Sequence, residues 1–253
     1  MKHELRKFVL NAMIDSPFEH VLRTAYVRLS PAKKDKYDRQ LVKVMARALS
    51  NKSNCVDVGG YRGSVLRDMI RLAPGGRQFA FEPVPENFRY LAAKFKTACV
   101  FDIALSDTTG EANLQHVIGR PALSGLRKVD YPDSTQEVRE IRIKVDRLDN
   151  VLPAGTRIDF IKIDVEGAEM SVLRGGQETI RKCRPIIVFE HGTKRAKTYD
   201  TTPEQIYELL NGQCRLYVSV MERWLNGRGA FSKEEFCRHA YEDLDFCFIA
   251  YPS

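Results

Sequence analysis

The run Asp57-Val58-Gly59-Gly60-Tyr61-Arg62-Gly63 puts a carboxylate and three glycines within seven residues. Glycine lets a chain turn sharply from strand to helix and lets a ligand touch bare backbone, while the helix start offers unpaired N–H groups. Such a turn suits many nucleotide-like cofactors. Two details narrow the choice. Gly59, Gly60 and Gly63 do not make the dinucleotide pattern G-x-G-x-x-G, and no G-x-x-x-x-G-K-[ST] phosphate loop occurs anywhere. Asp57 sets negative charge at a strand tip, where it repels a pyrophosphate but suits a ligand carrying an ammonium and a sulfonium. Glu82 lies about 20 residues past the last glycine, where a carboxylate accepts hydrogen bonds from two ribose hydroxyls, and Asp102 is the expected partner of an adenine amino group. A second acidic group follows: Asp164, Glu166 and Glu169, then Glu190-His191. If both sets follow central strands they face one cleft. His191 is the expected general base, because an imidazole titrating near neutrality suits that work, with Asp164 holding the acceptor or orienting the base and Glu190 beside them. Three alternatives stay open: Glu169 merely favours a helix N-terminus, His191 bonds a turn, or Asp164, Glu190 and His191 hold Mg2+. No other metal site is expected. Lys162 reads as structural.

The elements that would position these residues follow from periodicity. Cys55 to Val58, Arg77 to Phe81, Cys99 to Ala104, Ile158 to Ile163, Ile186 to Phe189 and Phe246 to Tyr251 are short apolar runs, and helical spacing follows through Val65, Leu66, Met69 and Ile70 and again from Pro85 to Phe95. Runs apolar on both faces, alternating with helices, predict a mostly parallel sheet between two helix layers. The pattern lapses between Ala104 and Asp159, where Glu111 to Val117 and Glu137 to Val145 alternate in twos like antiparallel strands. Between them residues 119–136, with two Pro, two Gly and two Ser, predict a mobile loop whose Arg120, Arg127, Lys128 and Tyr131 could close over an acceptor. Thr202-Pro203-Glu204 and Ser232-Lys233-Glu234-Glu235 predict helix starts. Two units result: a helical N-terminal appendage over 1–50 and a catalytic domain over 51–253.

Composition sets outer bounds. With 43% hydrophobic and 29% charged residues, 253 residues suffice for one large α/β core. No apolar run approaches the roughly 20 residues of a membrane helix, and the charged N-terminus lacks a signal-peptide pattern, so a cytoplasmic protein is expected. Six scattered cysteines without a C-x-x-C pair predict free thiols. The net charge is +7, and residues 1–50 hold 11 Lys/Arg against 5 Asp/Glu, which predicts a basic helical face that is solvated unless a polyanion covers it.

The succession Val56-Asp-Val-Gly-Gly-Tyr-Arg-Gly-Ser, Phe81-Glu-Pro-Val-Pro-Glu-Asn-Phe, Ala104-Leu-Ser-Asp, Val145-Asp-Arg-Leu-Asp and Phe160-Ile-Lys-Ile-Asp-Val-Glu-Gly-Ala-Glu resembles the FkbM-type methyltransferases over residues 54–192. Gly60 and Tyr61 depart from it, standing where the family often has Ala-Asn. The resemblance implies a Rossmann-like class I methyltransferase fold with a seven-stranded, mostly parallel sheet and helices on both faces. It also implies S-adenosylmethionine as donor and hydroxyls of a sugar, glycan or secondary metabolite as acceptors. An O-methyltransferase acting on a small-molecule or glycan acceptor is therefore expected, and self-association stays open. The alternatives are a nucleic-acid methyltransferase using the basic N-terminal region, or a non-catalytic S-adenosylmethionine-binding module. Against the first, Asp164-Val165-Glu166-Gly167 stands where amine-methylating base enzymes carry Asn-Pro-Pro-[Tyr/Phe], and no RNA module is recognisable. Retention of both Asp57 and Glu82 argues against the second.

Overall fold

The structure is a computed structural model that describes residues 33–119, 123–128 and 137–252, with side chains from residue 36. It opens on α1 (Lys33–Ala48), then β1 (Cys55–Val58), α2 (Ser64–Leu72), β2 (Gln78–Phe81), α3 (Pro85–Lys94) and β3 (Cys99–Phe101). Strands β4 (Ile103–Leu105), β5 (Gly110–Val117) and β6 (Val138–Asp146) follow, then α4 (Leu148–Val151), β7 (Phe160–Ile163), α5 (Glu169–Gly175), α6 (Gln177–Cys183) and β8 (Ile186–Glu190). The last part holds α7 (Thr193–Lys197), α8 (Pro203–Tyr207) running into a π-helical turn over Glu208–Gln213, β9 (Leu216–Val220), α9 (Met221–Leu225), α10 (Lys233–Tyr241) and β10 (Cys247–Pro252).

Seven strands form one sheet in the order β3-β2-β1-β7-β8-β10-β9. The pairs from β3 to β8 are all parallel, and β10 runs antiparallel to both β8 and β9. This is the Rossmann-like class I methyltransferase fold. The order reverses at β1, so the strand ends on either side of β1 and β7 open into one crevice. Parallel strands are buried on both faces, which explains why β1, β2 and β7 are buried at every position. One face carries Val56, Ile161, Ile187 and Phe189 against Leu173 of α5, Ile206 of α8 and Phe236 of α10. The other carries Cys55, Phe160 and Val188 against Met69 of α2 and Leu41, Val44 and Met45 of α1.

Helix α1 thus lies inside the core of this domain. Its buried positions 41, 44 and 45 keep the three- and four-residue spacing of an amphipathic helix, and Tyr37 donates a 2.6 Å hydrogen bond to Asp245 just before β10. Residues 1–32 of the helical appendage expected over 1–50 lie outside the described residues. Two elements differ from expectation. The third strand breaks at Asp102: β3 stays in the large sheet, whereas β4 pairs with β6 in a second sheet of order β4-β6-β5. Strand β9, with no counterpart among the expected strands, closes the far edge. Both expected helix starts are found, and each closes as a capping box, Thr202 with Gln205 and Ser232 with Glu235. Within the expected mobile loop, Gly125 bridges Gln115 of β5 and Ser124 accepts from the Val117 amide, so residues 124 and 125 dock on the small sheet. Arg120 and Tyr131 lie outside the described residues. No helix among those described is long and apolar enough to cross a membrane.

Because Met45 is fully buried against both α2 and the sheet, Met45→Ala is expected to destabilise the protein by about 2–5 kcal/mol. Urea unfolding measures this; a loss under about 0.5 kcal/mol would show that α1 contributes nothing to the core.

Candidate functional site

Parallel pairing aligns the carboxyl ends of five strands, and the residue that follows each is a candidate: Gly59 after β1, Glu82 after β2, Asp102 after β3, Asp164 after β7 and His191 after β8. In Gly59 the backbone has φ +82°, and a Cβ there would stand 2.0 Å from the Asp164 carbonyl oxygen. Glycine is required for the β1 and β7 ends to touch. Gly63, at φ +73°, precedes the first residue of α2, and a Cβ there would stand 2.3 Å from the Phe95 ring and 2.7 Å from Leu91. Gly60 sits beside Leu91 and Asp57. The three glycines serve the close packing of strand, loop and helix as well as any ligand.

Asp57 is buried, and its Oδ2 has no hydrogen-bond partner among the described residues. Burial pushes its carboxyl up to about 6, against the pull of the Lys162 ammonium. Glu82 is equally buried: Oε2 accepts from the Tyr61 amide at 2.7 Å, and Oε1 accepts from the Val84 amide at 3.0 Å and from Asn87 Nδ2. Burial raises it despite those donors. A carboxylate offers about four lone-pair sites, so Glu82 keeps capacity for hydroxyl donors. An orphaned buried acceptor beside a second carboxylate fits the positive methionyl end and the ribose of S-adenosylmethionine, and would oppose a pyrophosphate. Asp102 is placed differently. It is exposed at the break between β3 and β4, and pairs with Lys144 of β6 at 3.3 Å.

Register decides the second acidic group. Lys162 of β7 lies opposite Asp57 of β1 and Val188 of β8, so alternation returns Asp164 and Glu190 to the face that carries Asp57 and Lys162. Lys162 Nζ stands 2.8 Å from Asp164 Oδ2, and Asp164 and Glu190 are both partly exposed. His191, one residue farther, turns to the other side. It is 1% exposed, neither ring nitrogen is hydrogen-bonded among the described residues, and burial pushes it down to about 4, with Glu204 pulling the other way. The expectation of an imidazole titrating near neutrality in the cleft is thus corrected: desolvation keeps this ring neutral and its packing keeps it from the surface. The Mg2+ alternative is corrected too. Among the described residues no three His, Cys, Asp or Glu side chains come together as a metal site, and at Asp164 the facing cation is the Lys162 ammonium.

Glu169 is buried, and its Oε1 accepts from the Gly167 amide at 3.0 Å and the Val165 amide at 3.3 Å. It ties down the turn after β7, with Glu166 above it at φ +58° and paired to Arg195. Sequence reading placed it at a helix start but not as the internal brace of this turn. The signal available was its spacing from Gly167 and Val165. Burial pushes Glu169 up to about 7 against the pull of these amides. A folded-state value above the unfolded one means that the native state binds the proton more tightly, so this contribution to stability is full below about pH 4.5 and is lost as pH rises through 7. Relative to wild type, Glu169→Gln is therefore expected to gain about 1 kcal/mol of stability per pH unit between pH 5 and 7. Urea unfolding at several pH values measures it, and parallel pH curves for the two proteins would refute the assignment.

With this geometry in view, the relatives are informative. The model of the Methyltransferase FkbM domain matches residues 57–217, from Asp57 into β9. The chain is 32% identical over 144 residues to the 2-O-methyltransferase NoeI of Sinorhizobium fredii, covering 51% of this chain and 59% of that protein. It is 30% identical over 149 residues to Methyltransferase 1 of Beauveria bassiana, covering 47% of this chain and 57% of that protein. The chain thus spans less than two thirds of either relative. Among solved structures, a methyltransferase FkbM from Methylobacillus flagellatus aligns over 80% of this chain and 44% of its own at 16% identity, with a TM-score of 0.49. On the match of the family model, which begins at the carboxylate of the first strand and takes in every strand end described above, this chain belongs to the FkbM methyltransferase family.

Proposed function

We propose that this protein is an S-adenosylmethionine-dependent O-methyltransferase whose acceptor is a hydroxyl of a sugar, glycan or secondary metabolite. The observation that carries the donor assignment is the pair of buried carboxylates at adjacent strand ends, with Asp57 Oδ2 unbonded among the described residues. S-adenosylmethionine, when bound, supplies a methyl group already activated on a sulfonium. Asp57 faces the positive end of that ligand and Glu82 takes its ribose hydroxyls.

What remains for the chain is to align an acceptor and take its proton. Asp164 is the group best placed for both: it follows β7 at the crevice, is partly exposed, and is held by Lys162. Glu190 lies on the same face and completes an acidic wall. His191, sealed on the other side of the sheet, is assigned no contact with the acceptor. Oxygen as the acceptor atom draws support from the family and from a relative named a 2-O-methyltransferase. A carboxylate-rich crevice also suits a hydroxyl, which donates a hydrogen bond.

Calorimetric titration with S-adenosylmethionine is expected to show Asp57→Ala and Glu82→Ala each weakened by about 10- to 100-fold, the loss of one charged hydrogen-bonding group. Tight binding of NADH in place of S-adenosylmethionine would defeat the donor assignment. Release of S-adenosylhomocysteine, followed across a panel of saccharides and hydroxylated metabolites, identifies the acceptor. With a turned-over member of that panel, Asp164→Asn is expected to lower kcat by about 100-fold or more while donor affinity holds. Turnover confined to RNA would overturn the hydroxyl-metabolite reading.

A further inference from the structure

Strand β7 reads Phe-Ile-Lys-Ile and is buried at all four positions. A lysine in such a strand is tolerated only with its ammonium paired, because an isolated buried charge costs several kcal/mol. Its neighbours are set by register rather than by chance. Asp57 lies directly across on β1, about 4.8 Å away along the hydrogen-bonding direction, while Asp164 and Glu190 lie farther along on the same face, at the ends of β7 and β8. Lys162 therefore stands between the carboxylate of the donor half and the two of the acceptor half. It is 6% exposed, and its Nζ is bonded to Asp164 Oδ2.

The geometry points to Lys162 as a positioning residue that couples the two halves of the crevice, holding Asp164 toward the acceptor and supplying the balancing positive charge for Asp57 on the donor side. Its meaning for catalysis rests on the donor assignment above. Its charge-balancing role does not.

The groups around it are mostly acids. Asp57 feels burial, Asp164 and Glu82 pushing it up, and Lys162 and the Leu66 amide pulling it down. On Lys162, burial works to lower the ammonium, yet Asp164, Glu190 and Asp57 together hold it above its ordinary value. From β10 the Cys247 thiol is buried against Glu190, Lys162 and Asp164, and from α1 Asp38 acts on the same thiol. Taking away the ammonium removes the largest influence that keeps Asp57 ionised and leaves the acids in place. The donor carboxylate then charges only at higher pH, and affinity for a cationic ligand follows it.

The test is S-adenosylmethionine titration at pH 6.5 and 8.5 with wild type, Lys162→Met and Lys162→Arg, joined by an NMR titration of the Asp57 carboxyl carbon in the ligand-free proteins. Wild type is expected to hold its affinity within about threefold between the two pH values. K162M is expected to bind about tenfold more weakly at pH 6.5 than at 8.5, the effect of an Asp57 shift of about one and a half pKa units, and K162R to restore the wild-type profile. In K162M the Asp57 carboxyl carbon titrates at higher pH than in wild type. Should K162M fail to fold, Lys162→Gln, which keeps a hydrogen-bond donor for Asp164 without charge, takes its place with the same expected profile. Equal weakening at both pH values, or an Asp57 titration unmoved by loss of the charge, would overturn the proposal. If wild type itself binds no S-adenosylmethionine, the donor assignment falls, and the Asp57 titration still decides the role of Lys162.

Discussion

The contact on which this site depends is between two pieces of backbone: the α-carbon of Gly59 and the carbonyl oxygen of Asp164. Strands β1 and β7 pair in register from Cys55 with Phe160 to Val58 with Ile163, and the turns that leave them must share the space above their ends. A side chain at 59 would force them apart. With glycine there, the loop that enters α2 and the loop that enters α5 lie against each other, and Asp57, Lys162 and Asp164 come onto one face of two neighbouring strand ends. The topological switch point supplies the crevice, and the missing Cβ sets its width.

What the protein puts into that crevice is costly to stability. Asp57, Glu82, Lys162 and Glu169 are all nearly sealed from solvent, and burial drives each carboxyl upward, to about 6 for Asp57 and about 7 for Glu169. Three of these charges have structural answers: Glu169 receives the amides of its own turn, Glu82 receives those of Tyr61 and Val84, and Lys162 meets Asp164. Asp57 Oδ2 has none among the described residues. Perturbed and incompletely satisfied groups of this kind gather where a ligand completes them, and Glu169 and Asp57 differ in this respect: the first is met by backbone amides and the second keeps a buried oxygen unmet among the described residues.

The sequence was legible where one local rule governs. The glycine turn after β1, the acid after β2 and the acidic turn after β7 each follow a short apolar run, and parallel pairing then brings those ends together without further information. Both capping boxes were likewise local. Longer-range features were hidden. Nothing in Cys99 to Leu105 announces that the chain changes sheets at Asp102, because β3 and β4 have similar composition and differ only in their partners. Strand β9 reads Leu-Tyr-Val-Ser-Val, but Tyr217 is exposed at the edge and the run is flanked by a π-helical turn and a helix, so its role appears only once β10 lies beside it. His191 was misjudged for a related reason: adjacency to Glu190 implies a shared cleft, whereas alternation sends the two side chains to opposite faces. Lys162 did carry a signal, a lone charge in an otherwise apolar strand, but its partners depend on register across three strands.

Strand β10 also bears on where this family begins and ends as a physical object. The shared domain closes at residue 217, inside β9, yet β9 joins the sheet only through β10, over residues 247–252, which lies between it and β8. On the other side, α1 covers a sheet face some ten residues or more before the match begins. The segment that descent has kept recognisable is therefore smaller than the segment that can bury its own surfaces. In this chain the matched block holds the strand ends of the crevice, and residues on both sides of it complete the layers that bury the sheet.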